Sequence, residues 1–170
     1  MSTVPIYLLD ANVFIEAKNR YYAFDIVPAF WGSLVTHGTN GRIRSIDKIR
    51  DELKAGKDEL AEWAEDASRD IIFVNSGESD VIEAYKEVMT WVQGNAQFTE
   101  AARAEFAGDP DGWLIAYAKA KGPNYIVVTH EDNRPEARAK VLIPVVCIHF
   151  GIRWLDTFEM LRELGVRFNA

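Results

Sequence analysis

The sequence predicts an α/β fold: a mostly parallel central sheet covered by helices on both faces. Three observations lead there. Short apolar runs of strand length, Ile6-Tyr7-Leu8-Leu9, Ile71-Ile72-Phe73-Val74 and Tyr125-Ile126-Val127-Val128-Thr129, are continuous rather than alternating, as in strands buried on both faces. Longer stretches with helical periodicity separate them, and strands alternating with helices build crossovers over a parallel sheet. The tripeptide Asp10-Ala11-Asn12 follows the first run directly. An acid at the carboxyl end of the first strand stands where open α/β sheets bind ligands.

Taken in order, residues 5–9 are the first strand and residues 13–36 are mainly helical and rich in aromatics, with Pro28 starting a new helix or kinking the first. His37-Gly38-Thr39-Asn40-Gly41 is a turn. Arg44-Ser45-Ile46 is a possible short strand, Asp47 to about Leu53 is helical and ends near Gly56, and 58–67 forms another helix. Residues 71–74 are a buried strand. Ser79 is expected to cap a helix to about Trp91, with Val81, Ile82, Tyr85, Val88, Met89 and Val92 on its apolar face. Thr99 begins a short helix, and Asp109-Pro110-Asp111-Gly112 is a turn into the buried helix 113–118, stopped by Gly122-Pro123. Residues 125–129 are the next strand, and 145–148 and 153–155 are short strand candidates. Asp156 caps a last helix, with Glu159 completing a capping box and Gly165 as the stop.

The 170 residues carry no repeats or low-complexity linkers, so a single domain over 1–170 is expected. A 48% apolar content is that of a globular chain. The net charge of −7 argues against a generic basic nucleic-acid binder but not against a metal-dependent nuclease, whose clustered acids are neutralised by cations. The single Cys147, in an apolar run, allows no internal disulfide and reads as inert core, which fits a reducing cytoplasm. No Lys or Arg precedes Asp10, the early apolar run is too short for a signal peptide, and no run reaches the length of a membrane span.

Acids recur at element ends. Asp10 follows the first strand, Glu52 lies in Asp51-Glu52-Leu53, Asp111 opens the buried helix, and Glu131 with Asp132 follows the strand ending at Thr129. Four carboxylates gathered in one pocket repel one another unless cations bind between them. Oxygen ligands of this kind suit Mg²⁺ or Mn²⁺ and metal-assisted phosphodiester hydrolysis.

Six stretches, Asp-Ala-Asn-Val-Phe-Ile (10–15), Ser-Ile-Asp-Lys-Ile-Arg-Asp-Glu-Leu (45–53), Trp-Leu-Ile-Ala-Tyr-Ala (113–118), Val-Val-Thr-His-Glu (127–131), Ile-Pro-Val-Val-Cys (143–147) and Phe-Glu-Met-Leu-Arg (158–162), span nearly the whole chain. Together they resemble the PIN-domain nuclease superfamily, and within it the DUF4411 branch. The resemblance implies a three-layer α/β/α sandwich. It also implies a Mg²⁺- or Mn²⁺-dependent endoribonuclease acting on single-stranded RNA, of the VapC-like type that forms the toxin of a toxin–antitoxin pair. Asp10, Glu52 and Asp111 match the first three family acids, and Glu131 or Asp132 stands for the variable fourth. Asn12 matches the polar residue after the first acid, and Thr129 the hydroxyl at the last catalytic strand end. The chain departs from the pattern in Gly-Asp-Pro-Asp-Gly-Trp, where Asp109 or Asp111 is the third acid; the spacing to Ile115 favours Asp111, with Gly112 easing the backbone. Partners implied are RNA, a cognate antitoxin and a second copy of the chain, for which the aromatic segment 21–31 is the candidate surface.

Other readings compete. Asp10 and Asp111 are also good helix caps, Glu52 could be a solvated helix-face acid, and His130 a solvated loop residue or an RNA contact. The basic sets Arg42, Arg44, Lys48, Arg50, Lys54 and Lys57, Lys18 with Arg20, and Arg134, Arg138 and Lys140 either steer phosphates or form a solvated surface. A dehalogenase-like phosphatase also begins with strand–Asp, but it requires a second Asp where this chain has Asn12. A PIN-like scaffold that binds a partner without turnover is the non-enzymatic alternative.

Overall fold

The first apolar run becomes the middle of a sheet because β1, Ile6–Leu9, is flanked on both sides by strands of its own direction. The computed structural model describes residues 4–169. β2 is Ile43–Ile46, β3 Phe73–Val74, β4 Tyr125–Val128 and β5 Trp154–Leu155. All pairings are parallel and the order is β3-β2-β1-β4-β5. Tyr7 sits opposite Ile43 on one side and Ile126 on the other. Leu8, Leu9, Val127 and Val128 are completely buried, which accounts for the unbroken apolar runs.

Among the described residues nine α-helices cover the sheet: α1 Ala11–Glu16, α2 Pro28–Thr39, α3 Asp47–Ala55, α4 Glu59–Glu65, α5 Ser79–Gln93, α6 Glu100–Gly108, α7 Asp111–Lys121, α8 Ile143–His149 and α9 Thr157–Glu163. The architecture is a three-layer α/β/α sandwich. α1, α3 and α4 pack on one another, and α5 lies along α7 with α6 and α8 beside them. No helix among the described residues is long and apolar enough to cross a membrane.

Several expectations are corrected. Within the mainly helical segment 13–36 Pro28 opens a new helix, α2, as one of the two expectations had it; what the sequence did not foretell is the π-helical turn at Ala17–Tyr21 into which α1 widens. The aromatics of 21–31 mostly face inward rather than forming a surface. Phe30 and Trp31 are buried, Phe24 stacks on Trp31 at 4.0 Å, and of the segment's large apolar side chains only Tyr21 and Ile26 are exposed. Residues 145–148, expected as a strand, lie in α8, because Pro144 in its first turn starts a helix that apolar content alone does not distinguish from a strand. Helix α5 begins at Ser79 itself, with Glu78 in the cap position. Asp111 belongs to the helix, not to a turn before it. The Asp156 capping box and the Gly165 stop, with φ +72°, are present as expected.

The strand order has a functional consequence. From β1 the chain steps outward through β2 to β3, then returns to the other side of β1 for β4 and β5. The order therefore reverses between β1 and β4, and a crevice outside their carboxyl ends is where such sheets bind ligands. Asp10 and Thr129 are the first residues beyond those two ends. Ser45 braces the same edge: its buried hydroxyl donates to the Leu9 carbonyl at 2.7 Å, just before Asp10. Ser45→Ala leaves that buried carbonyl short of a donor, so the midpoint in denaturant should fall by the equivalent of roughly 1–3 kcal/mol with an unchanged m-value.

Candidate functional site

Asp10 occupies the N-cap position of α1, with extended backbone at φ −71° and ψ 157°, yet its side chain caps nothing. It turns inward, 2% exposed, and Oδ2 accepts a hydrogen bond from Thr129 Oγ1 at 3.1 Å. Burial first, then the Glu131 charge, push its pKa up to about 7, with Glu52 adding to the effect; the Thr129 hydroxyl and the Ala11 amide work in the opposite direction. The Thr129 oxygen also accepts the Glu131 amide at 3.1 Å, so this one hydroxyl ties the ends of both central strands together.

Asp111 is the first residue of α7. Burial lifts its carboxyl to about 9, followed by the charges of Asp10, Glu131 and Asp109, against a smaller pull from Lys140. Among the described residues it has no hydrogen-bond donor. Gly112 behind it is not a flexible joint. A Cβ there would stand 3.2 Å from the Tyr85 ring and 3.3 Å from the Phe106 ring, so glycine lets the start of α7 close onto α5 and α6.

Glu131 is the loop acid that faces the others: its charge acts on Asp10 and Asp111, whereas Asp132 is exposed and has no part in either field. Glu131 is held firmly, Oε2 accepting the Ile143 amide at 2.7 Å and Oε1 meeting Lys140 Nζ at 3.2 Å. Between the two possible third acids, Asp111 shares its field with Asp10. Asp109 is raised by burial and then by Glu105, and stands between Asp111 and Glu52. Glu52 reaches solvent on α3, and desolvation followed by Asp109 raises its pKa.

Of the four acids Glu131 lines an open cleft of about 340 Å³, together with Asn12, Glu16, Arg20, Tyr21 and His130. The Asn12 side chain makes no hydrogen bond among the described residues, to Asp10 or otherwise. His130 Nε2 lies 2.8 Å from Thr157 Oγ1, and burial lowers its pKa, so it is an uncharged wall rather than a solvated loop group. A second hollow of about 310 Å³ holds Lys48, Asp51, Asp109 and Trp113, with Lys48 Nζ 4.3 Å above the Trp113 ring.

Most of the basic residues near the acids are committed to the fold. Arg42 donates to the Pro5 carbonyl, Arg44 to Gly38 and Ile43, and Arg50 to Ala64, Asp66 and Asp70. Lys18 pairs with Asp58 and Arg20 with Glu16. Asp47 is likewise structural: Oδ1 accepts from Ser76 Oγ at 2.6 Å and joins the ends of β2 and β3. Sequence reasoning missed Glu16, which lines the cleft, and the pairing of Lys140 with Glu131. The i,i+4 relation of Glu16 to Arg20 was a readable signal; Lys140 was not placeable without the loop's course.

The donor set fits a hard divalent cation. All four acids offer oxygen, and the charges of Asp10 and Glu131 oppose ionisation of Asp111 unless positive charge is supplied. Among the described residues no three acidic, His or Cys side chains already converge in ligating positions. Mg²⁺ itself commonly keeps several waters and takes one or two carboxylates.

The raised acids carry a pH signature. Asp10 and Asp111 hold protons more tightly folded than unfolded, so their contribution to stability is complete below about pH 4 and is lost as pH rises through about 7 and then about 9. The chain in EDTA should therefore melt at a lower temperature at pH 8.5 than at pH 6. Asp111→Asn should recover part of the loss, roughly 2–4 °C per kcal/mol. Mg²⁺ should raise the melting temperature more at pH 8.5 than at pH 6. Differential scanning calorimetry at the two pH values checks all three; equal Mg²⁺ effects would count against a carboxylate site.

No curated protein and no solved structure matches the chain. A family model described as "Domain of unknown function (DUF4411)" matches residues 7–168, which take in β1 to the end of α9 and all the acids above. The chain belongs to the DUF4411 family.

Proposed function

We propose that this chain is a metal-dependent endoribonuclease of PIN-like character that hydrolyses phosphodiester bonds of single-stranded RNA. The observation that carries the reading is the pairing of Asp10 and Asp111 at the sheet's switch point. Burial raises the pKa of both carboxyls there, the Asp10 charge raises that of Asp111 further, and Asp111 lacks any hydrogen-bond donor among the described residues. Asp10, Asp111, Glu52 and Glu131 would hold Mg²⁺ or Mn²⁺. Such an ion lowers the pKa of water and stabilises charge on a leaving oxygen.

The chain's own residues supply the rest. Thr129 fixes the Asp10 carboxylate through Oδ2 and leaves Oδ1 without a side-chain donor among the described residues. The free amide of Asn12 offers a donor and an acceptor to water or phosphate in the same cleft. Lys48 is held over Trp113 and by Ser76 at 2.9 Å, beside Asp109, where it can meet a neighbouring phosphate. The resemblance to toxin ribonucleases supports extending the reading to a cognate inhibitor protein, a cytoplasmic setting and a homodimer.

A second reading, a PIN-like binding protein without turnover, is favoured by Lys140. Its ammonium already neutralises Glu131, in the manner of a tethered cation.

Cleavage of a mixed single-stranded RNA pool with Mg²⁺, Mn²⁺ or EDTA separates the two. The nuclease reading expects metal-dependent cutting that falls by at least about a hundredfold in Asp10→Asn and Asp111→Asn, and by roughly 10–100-fold in Thr129→Val, which removes only the support of a ligand. Absence of cutting by the unaltered chain with either metal would select the binding protein.

A further inference from the structure

The widened turn after α1 sets two neighbouring rings apart, one in the core and one in the wall of the cleft. Across Ala17–Tyr21 the backbone is π-helical, and the Tyr22 amide bonds the Ala17 carbonyl at 2.7 Å, five residues back. Such turns are uncommon and frequent at functional sites. Its effect is local and specific. Tyr22 turns inward to stack on Phe30 at 4.4 Å, while Tyr21 remains 45% exposed in the wall of the cleft that Glu131 closes.

The Tyr21 ring is held in place. It lies at 29° to the His130 ring, with centroids 5.8 Å apart, and meets the Phe158 edge at 5.1 Å and 86°. His130 is itself fixed through Thr157 and kept uncharged by burial. A rigid aromatic face, partly open to solvent, thus stands in one cleft with a free amide and an acidic group of the proposed metal site. The cleft is polar and shallow, which does not suit an apolar peptide side chain. A flat ring carrying polar edges, joined to a phosphate, matches both ends of it.

We infer that Tyr21, backed by His130 and Phe158, is a nucleobase-stacking platform that seats the base of a single-stranded nucleic acid next to the acids, with Asn12 on the phosphate side. This rests on the nuclease reading for its orientation but is separable from it by experiment. A base in a duplex has both faces occupied by its neighbours, so the platform admits unpaired bases only, and single-strand selectivity resides in Tyr21 rather than in the acids. The exposed Arg20 guanidinium, paired only to Glu16 at 3.3 Å, borders the same cleft and can turn to the sugar–phosphate chain.

The test is a coupled binding measurement in Mg²⁺ by fluorescence anisotropy. Asp10→Asn provides a background that suppresses turnover. The probes are a labelled single-stranded 12-nucleotide RNA of mixed sequence and the same length of abasic sugar–phosphate chain. In this background the base-containing strand should bind about tenfold tighter than the abasic one, as expected for a base on an aromatic ring. Adding Tyr21→Ala should abolish that preference, Tyr21→Trp should keep or increase it, and the melting temperature should not change in either. Equal affinity for the two strands, no binding of either, or a preference indifferent to Tyr21→Ala would overturn the inference. Cutting by the unaltered chain is scored separately. Cutting without a role for Tyr21 leaves the nuclease and removes the platform; base-dependent binding without cutting keeps the platform and removes the nuclease.

Discussion

The hydroxyl of Thr129 is the joint on which the site depends. It donates to the Asp10 carboxylate and accepts the Glu131 amide, completely buried between the ends of the two strands where the sheet reverses order. Without it, a carboxylate 2% exposed would have lost its water and gained little in return. With it, Asp10 stays poised between its protonated and ionised forms instead of being driven fully to one of them. The parallel sheet provides the setting: it brings residues 119 positions apart in sequence into one hydrogen bond.

Charges in this chain divide into those the fold uses and those it leaves exposed to one another. Asp47, Asp58 and Asp156 each accept backbone or side-chain donors and stabilise a turn or a helix start. Arg42, Arg44 and Arg50 close loops by donating to carbonyls. Against that pattern Asp111 is anomalous. It sits at a helix start, where a carboxylate gains from the dipole, and still has its pKa raised, because burial and then the charges of Asp10, Glu131 and Asp109 outweigh that gain.

Much of the framework was legible. β1 and β4 announce themselves as continuous apolar runs, and the Asp156–Glu159 capping box follows from local bonding rules. Asp10 was readable as a candidate-site residue because it directly follows such a run, and Thr129 because it ends one and matches the pattern of the family the chain resembles. Where local signals are degenerate, reading failed: Val145 to Ile148 is equally apolar as strand or buried helix, and no composition rule foretells the π-helical turn that ends α1 before the new helix at Pro28. The choice between Glu131 and Asp132 depended on the course of an irregular loop. Adjacent residues there face opposite ways, one into the acids and one into solvent. The arginines were misread because a side chain that donates to a carbonyl looks, in sequence, the same as one awaiting a phosphate.

The reversal of strand order also bears on how the chain is made. Asp10 and Glu52 emerge early from the ribosome, but the strand that sets Thr129 beside Asp10 is the fourth in sequence, and the loop carrying Glu131 follows it. Until that strand inserts beside β1, the early acids lie at the rim of an incomplete sheet, solvated and separate. The joint that Thr129 makes between Asp10 and the Glu131 loop is therefore out of reach of the nascent chain, and the candidate site is assembled only late in synthesis.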